Sequence, residues 1–352
     1  MLFLASYHKN DKDCFKMKVK FLTFLLLLCT VAGLLASIMP NLMIYSKVIK
    51  SIRRMHKVSE QRPVRTNDDW YTKNMKAIQL ERHQRLRDVC KTKGYGSNYD
   101  SALSSDHLGS LRHVLVIPEL KLLYCYVPKV GCTSWKTLLL FMSGHAFTHS
   151  AHDKANAVFP PLSHFGVDKA REILSEYKSF MFVRNPFTRL LSAYRNKITI
   201  DGNDSWRTLL YEWLTATDPR EAQFYNSSST NFTFTNFVRF YLSSSDKNEH
   251  WREIHKLCLP CHVHYDFIGI FDRLQEDSTY LISTINNGSH INLPYQQRKT
   301  NSSEDTSLRR FYSNIPVDLL RQLMADEGVM TDMALFGFSV PSVITEIIDK
   351  SA

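Results

Sequence analysis

The stretch from Leu120 to Met142, LKLLYCYVPKVGCTSWKTLLLFM, joins an apolar run that reads as a strand to one that reads as a buried helix. The strand is expected to end at Val127, and Gly144 sits where a helix C-terminus favours glycine. Between them lies Pro128-Lys129-Val130-Gly131-Cys132-Thr133-Ser134. Backbone N–H groups in such a turn, with the positive end of the helix dipole, form a cradle for an anion. Gly131 has no β-carbon to obstruct a phosphate, Thr133 or Ser134 offers a cap and a hydroxyl, and Lys129 places a mobile positive charge at the mouth. Taken alone, an ordinary strand–loop–helix connection with a surface lysine explains this stretch equally well. A nucleotide-hydrolysing P-loop fits poorly, because G-x-x-x-x-G-K-[ST] puts the lysine after the loop and here it comes first.

Outward from this centre, VLVIP at 114–118 reads as a neighbouring strand and SFMFV at 179–183 as another. Helices are expected over 186–197, 236–242 and 249–257, with a strand over 265–271. Leu319, Leu320, Leu323 and Met324 mark a late amphipathic helix with Pro316 near its first turn. Alternating strands and helices predict an α/β fold, a P-loop-like parallel sheet flanked by helices.

The second informative stretch is FVRNPFTRLLSAYRNK at 182–197. Asn185 is placed to cap a helix and Pro186 suits its first position. Phe187, Leu190, Leu191 and Tyr194 follow the spacing of a buried face, whereas Thr188, Ser192 and Arg195 fall on another. Arg184 and Ser192 can therefore meet one phosphate, the arginine through its planar fork of donors and the serine through its hydroxyl. The plain alternative is a basic amphipathic surface helix.

Together the two stretches resemble the 5′-phosphosulfate loop and the 3′-phosphate motif of sulfotransferases that use 3′-phosphoadenosine 5′-phosphosulfate (PAPS). YCYVPKVGCTSWK and FVRNPFTRLLSAYRNK look like the carbohydrate sulfotransferases of the chondroitin 4-O and HNK-1 type. Asn248-Glu249-His250-Trp251, LCLPCHVHYDFIG at 257–269 and FGFSVPS at 336–342 add to the likeness. Gly131 stands where those relatives usually carry alanine, and Asn185 replaces an acidic residue. The resemblance implies that Pro128 to Ser134 hold the 5′-phosphosulfate and that Arg184, Asn185, Pro186, Phe187, Thr188, Arg189, Leu190, Leu191 and Ser192 form the 3′-phosphate motif. It assigns Lys129 to the bridging oxygen and requires no metal. The base that accepts the sugar proton is sought among His250, His262 and His264, with His164 a weaker candidate.

From Phe21 to Ser46 no residue is charged, the length of a membrane-spanning helix, and Lys16, Lys18 and Lys20 precede it. A cleaved signal peptide is the rival reading, and the length favours an uncleaved anchor. The expected layout is a cytoplasmic tail over 1–20, an anchor over 21–45, a basic lumenal stem over 46–110 and a catalytic domain over 111–352, in Golgi membranes. Asn203, Asn226, Asn231, Asn287 and Asn301 head glycosylation triplets, all beyond the anchor. Five of the seven cysteines also lie there, an odd number that leaves at least one thiol without an intramolecular partner. C-x-x-C-H at 258–262 can mark haem attachment or, with His264, a zinc site; a local or longer disulfide is preferred. The net charge of +10 suits an anionic glycan acceptor, and a non-catalytic glycosaminoglycan-binding protein explains charge, anchor and glycosylation triplets without explaining the two anion motifs. Nucleic acid is not the expected partner.

Overall fold

The computed structural model describes residues 69–95, 103–145, 150–199, 204–229, 231–285, 293–294 and 300–350. All of them belong to one compact unit spanning Arg62–Ala352. The tail and the anchor expected over 21–45 lie outside the described residues, as do Asn203 and Asn287. No helix among the described residues is long and apolar enough to cross a membrane.

In chain order the elements are α1 (Asp69–Thr92), α2 (Ser105–Ser110), β1 (Val114–Ile117), β2 (Leu122–Cys125), α3 (Cys132–Met142), α4 (Ala151–Val158), α5 (Val167–Glu176) and β3 (Lys178–Val183). They continue as α6 (Pro186–Lys197), α7 (Asp204–Thr217), α8 (Pro219–Ala222), α9 (Phe234–Ser243), α10 (Ile254–Cys258) and β4 (Phe267–Ile270). Among the described residues, five helices follow: α11 (Leu274–Ile285), α12 (Asp305–Tyr312), α13 (Val317–Ala325), α14 (Glu327–Phe336) and α15 (Ser342–Asp349).

The four strands lie in the order β1-β2-β3-β4. β2, β3 and β4 run parallel, whereas β1 pairs antiparallel with β2, so the expectation of a parallel sheet needs correcting at one edge. The connection from β1 to β2 is too short for a crossover and can only reverse the chain. Nearly every strand residue is buried, as expected of strands covered on both faces. Tyr124, Trp135, Phe180 and Phe182 stack through this core with centroids 4.7–5.0 Å apart. Gly269 faces Phe182 in register, and a β-carbon there would meet that ring at 2.2 Å.

A second core buries the Phe187, Leu190, Leu191 and Tyr194 face of α6 against the later helices. Packing thus fixes one face of α6, while Thr188 and Ser192 lie on another, with Thr188 bonded to Arg184 just past the carboxyl end of β3.

Within the stretch expected to be a stem, α1 joins the folded unit. Gln79 donates to Ile268 O and accepts from Ile268 N, both at 3.0 Å, continuing the ladder at the β4 edge. Arg82 donates to Ile268 O and pairs with fully buried Asp277 at 2.7 Å. Disulfides join Cys90 to Cys261 and Cys125 to Cys258, across 171 and 133 residues, leaving Cys132 as a buried free thiol. Cys258 and Cys261 are therefore bonded to distant partners, and neither is a thiolate available to zinc or haem.

Candidate active site

All three parallel strands deliver polar residues at their carboxyl ends, where open α/β sheets bind ligands. β2 leads to Lys129, β3 to Arg184 and β4 to Asp272. β2 ends at Cys125 rather than Val127: the Tyr126 N–H still bonds to His113 O, one pair beyond the named strand, and Pro128 then has no N–H to give. The chain then turns through left-handed backbone at both Lys129 (φ 71°) and Gly131 (φ 74°). Glycine tolerates this; a lysine there is uncommon and marks a conformation held by its surroundings.

Those surroundings are two arginines from the next motif. Arg184 Nη1 donates to Lys129 O at 3.0 Å, and Arg189 Nε donates to Pro128 O at 3.0 Å. The remaining donors of Arg189 go to Arg252 O at 2.6 Å and Glu249 O at 3.0 Å, which draws the turn carrying His250 against the loop. The α3 N-terminus, with Gly131 as N-cap, has no side-chain cap, so its first amide N–H groups still need acceptors.

Lys129 Nζ donates to Asn196 Oδ1 at 2.9 Å. Burial, then the charges of Arg184, Lys197 and Arg189, bring its ammonium down to about 7, against a rise from Cys132. Arg184 is 3% exposed; it donates to Thr188 Oγ1 and Ser303 Oγ, each at 3.1 Å, and stacks over Phe271 at 4.1 Å. Burial lowers its guanidinium to about 9, against the opposing charge of Asp272. None of these Arg184 contacts is a direct carboxylate pair. Such concentrated, desolvated positive charge fits a polyanionic ligand.

Of the residues expected to hold the 3′-phosphate, the structure brings Arg184, Thr188 and Ser192 onto one face. Ser192 Oγ meets Thr300 Oγ1 at 2.9 Å, and Ser302 donates to the same Thr300 oxygen at 2.9 Å. Arg195 donates to Thr300 O, and Ser303 donates to Asp272 at 3.0 Å. The hydroxyl-rich segment Thr300–Ser303 thus lies across both Arg184 and Ser192. Asn185 instead caps α6 and anchors Ser339 O, while Phe187, Leu190 and Leu191 face the second core.

The candidate bases separate in space. His264 lies before β4, where its carbonyl accepts from Ser179 at the start of β3, at the opposite end of the strands from Lys129. His262 packs on His107 and Tyr95, with centroids 3.9 and 5.1 Å away, and His164 is exposed in a turn before α5. His250 alone among them lies on the turn that Arg189 ties to the loop. Its backbone N–H and its Nδ1 both meet Asn248 Oδ1, at 3.1 and 2.7 Å. An atom that accepts from a backbone N–H is the amide oxygen, so Nδ1 carries the proton and Nε2 keeps its lone pair. Burial, then Lys197 and Lys129, lower His250 to about 3, leaving the ring neutral near pH 7. The sequence assigns no site role to Asn196, Lys136, His152, Thr300, Ser302 or Ser303, since no local pattern announces partners 16 to 119 residues apart.

Residues 112–339 match the sulfotransferase family, and the chain belongs to it. Within that family it is a carbohydrate sulfotransferase. It is 33% identical over 276 residues to carbohydrate sulfotransferase 14 of Danio rerio, covering 76% of this chain and 74% of that one. It is 30% identical to carbohydrate sulfotransferase 11 of Mus musculus, covering 77% and 79%, and 28% identical to carbohydrate sulfotransferase 12 of Mus musculus, covering 75% and 69%. No solved structure matches the chain.

Proposed function

We propose that this enzyme transfers the sulfuryl group of PAPS to the 4-hydroxyl of N-acetylgalactosamine in chondroitin or dermatan. The observation that carries the donor assignment is the direct bond between the two anion-facing sets, from the Arg184 guanidinium to the Lys129 carbonyl at 3.0 Å. PAPS supplies a sulfuryl group on a phosphate leaving group, a reaction in which positioning and charge stabilisation outweigh covalent help. Lys129 and the first amides of α3 would hold the 5′-phosphosulfate, and Arg184, Thr188 and Ser192 the 3′-phosphate. His250 Nε2 is the acceptor for the sugar hydroxyl proton. The 4-hydroxyl assignment rests on likeness in the 257–269 block and in FGFSVPS. Transfer of labelled sulfate from PAPS to desulfated chondroitin, followed by disaccharide analysis, is expected to give 4-sulfated N-acetylgalactosamine. Label on the 6-position, or only on terminal glucuronic acid of a glycoprotein glycan, would overturn the acceptor assignment alone.

Arg184→Ala and Ser192→Ala are each expected to weaken adenosine 3′,5′-bisphosphate binding by roughly tenfold or more, the worth of a hydrogen bond to a charged group. Adenosine 5′-phosphate should bind Ser192→Ala as it binds the parent, and should lose less than the bisphosphate in Arg184→Ala, whose guanidinium also holds the Lys129 carbonyl. Calorimetry with the two nucleotides decides; equal losses would remove the 3′-phosphate from this face.

Donor binding should also follow Lys129. Its pKa in the free enzyme is depressed to about 7, and a bound anion restores the charged form. Affinity is therefore fully present below about pH 7 and declines as pH rises beyond it, with proton uptake on binding at pH 8. For folding the sign is opposite: between about 7 and the ordinary 10.5 the unfolded chain holds the extra proton, so this group's contribution to stability rises with pH. Titrations at pH 8 in buffers of different ionisation enthalpy would detect the uptake; its absence would detach Lys129 from the anion.

We place the catalytic domain in the Golgi lumen behind an anchor over residues 21–45. Support comes from two long-range disulfides, which persist in oxidising compartments, and from the exposed asparagines of three glycosylation triplets, Asn226, Asn231 and Asn301. Glycosidase treatment of the protein from intact cells should lower its apparent mass; no shift together with a cytosolic distribution would contradict this.

A further inference from the structure

Behind the anion loop lies a polar chain that the mechanism above does not use. Lys136, one turn into α3, is 0% exposed. Its ammonium meets the Asn156 side-chain oxygen at 2.8 Å, His152 Nδ1 at 3.4 Å and the face of the Tyr126 ring at 3.6 Å. None of these is a carboxylate, and a buried cation without one is costly. On its other side His152 Nε2 meets Thr133 Oγ1 at 2.8 Å. Thr133 is exposed in the first turn of α3, beside the amides that face the loop.

The hydrogen positions follow from donor counting. An ammonium only donates, so His152 Nδ1 accepts from Lys136 and the ring proton sits on Nε2. That N–H then donates to the Thr133 oxygen, so the hydroxyl proton is left for an outside acceptor. Burial, then the Lys136 charge, keep His152 neutral by lowering it to about 4, consistent with one proton on the ring. Each link in such a chain polarises the next. The cation is thereby expressed at an exposed O–H at the helix N-terminus without an ammonium group in the anion site.

We propose that Lys136 and His152 are positioning residues that fix the Thr133 hydroxyl as a hydrogen-bond donor to the 5′-phosphosulfate end of the nucleotide, an inference that rests on the donor reading above. The relay acts on the 5′ anion and leaves the 3′-phosphate to Arg184 and Ser192. The arrangement explains why a lysine with no carboxylate partner is buried beside the helix start.

The test uses the full-length protein and calorimetry with adenosine 3′,5′-bisphosphate and adenosine 3′-phosphate. The parent is expected to bind both. Thr133→Val, His152→Ala and Lys136→Met should each weaken the bisphosphate about tenfold while leaving the 3′-phosphate within about twofold. His152→Gln, whose amide can still donate to Thr133, should recover most of the loss. Adding His152→Ala to Thr133→Val should cost no further affinity, because the relay has then already lost its end. Equal losses for both nucleotides would reduce the cluster to a structural role and overturn the inference. So would parent-like bisphosphate binding by Thr133→Val, a substitution at an exposed position that does not depend on core packing. A parent that binds neither nucleotide would overturn the donor reading itself, and the relay with it.

Discussion

Lys129→Ala is expected to fold as the parent does and to lose sulfuryl transfer by roughly 10²–10³-fold or more, the scale set by removing one preorganised donor from developing negative charge. The side chain makes one hydrogen bond, to Asn196, and fills no part of either core. Both residues carry a β-carbon, so the left-handed backbone at position 129 is no more strained in the variant. Its ammonium is held at a cost in the free enzyme, which burial lowers to about 7. The thermal midpoint near neutral pH should therefore stay the same or rise while turnover falls, a separation found where function opposes stability. A folded variant with near-parental transfer would remove Lys129 from the chemistry.

Arg189→Ala should behave in the opposite way and fail through structure. Arg189 is 4% exposed and donates to the carbonyls of Pro128, Arg252 and Glu249. Truncation leaves those acceptors without their charged donor and frees the loop from the turn that carries His250. Since a single hydrogen bond to a charged group contributes about 1.5–3 kcal/mol, the loss of three should exceed about 3 kcal/mol. Urea unfolding of the variant should show a midpoint lowered by that free energy divided by the slope, with the slope itself unchanged. A midpoint equal to the parent's would mean that water replaces the guanidinium and that the loop is held by other contacts. Arg189→Lys is not expected to keep the parent's stability, because one ammonium cannot span three diverging carbonyls as a planar fork does.

These contrasting roles show where sequence reasoning reached and where it stopped. α6 was legible to its ends, Pro186 and Lys197, because Asn185 caps it and Pro186 opens it, and both signals are local. The expected helix over 249–257 shrank to Ile254–Cys258. Asn248 folds its own side chain onto His250, and Asp332, far along the chain, takes the N–H groups of Ile254 and His255. In α1 hydrophobicity alone misplaces the inner face: Trp70 is 70% exposed, while the polar Gln79 and Arg82 are buried. They face inward because β4 is a sheet edge whose backbone groups need partners, a requirement invisible before the strand order is known. The same limit hid the site's long-range members. Lys129, Arg184 and Ser192 sit in motifs with a recognisable order, whereas Thr300 and Ser303 reach them only through the fold.

Lys129 and Arg184 are expected to face the two ends of one nucleotide. Calorimetric titration of the full-length enzyme with adenosine 3′,5′-bisphosphate, adenosine 5′-phosphate and adenosine 3′-phosphate tests it most directly. One bisphosphate per chain is expected, bound at least about tenfold more tightly than either monophosphate, with the three nucleotides competing for a single site. Binding of the two monophosphates side by side without competition, or equal affinity for all three, would contradict it.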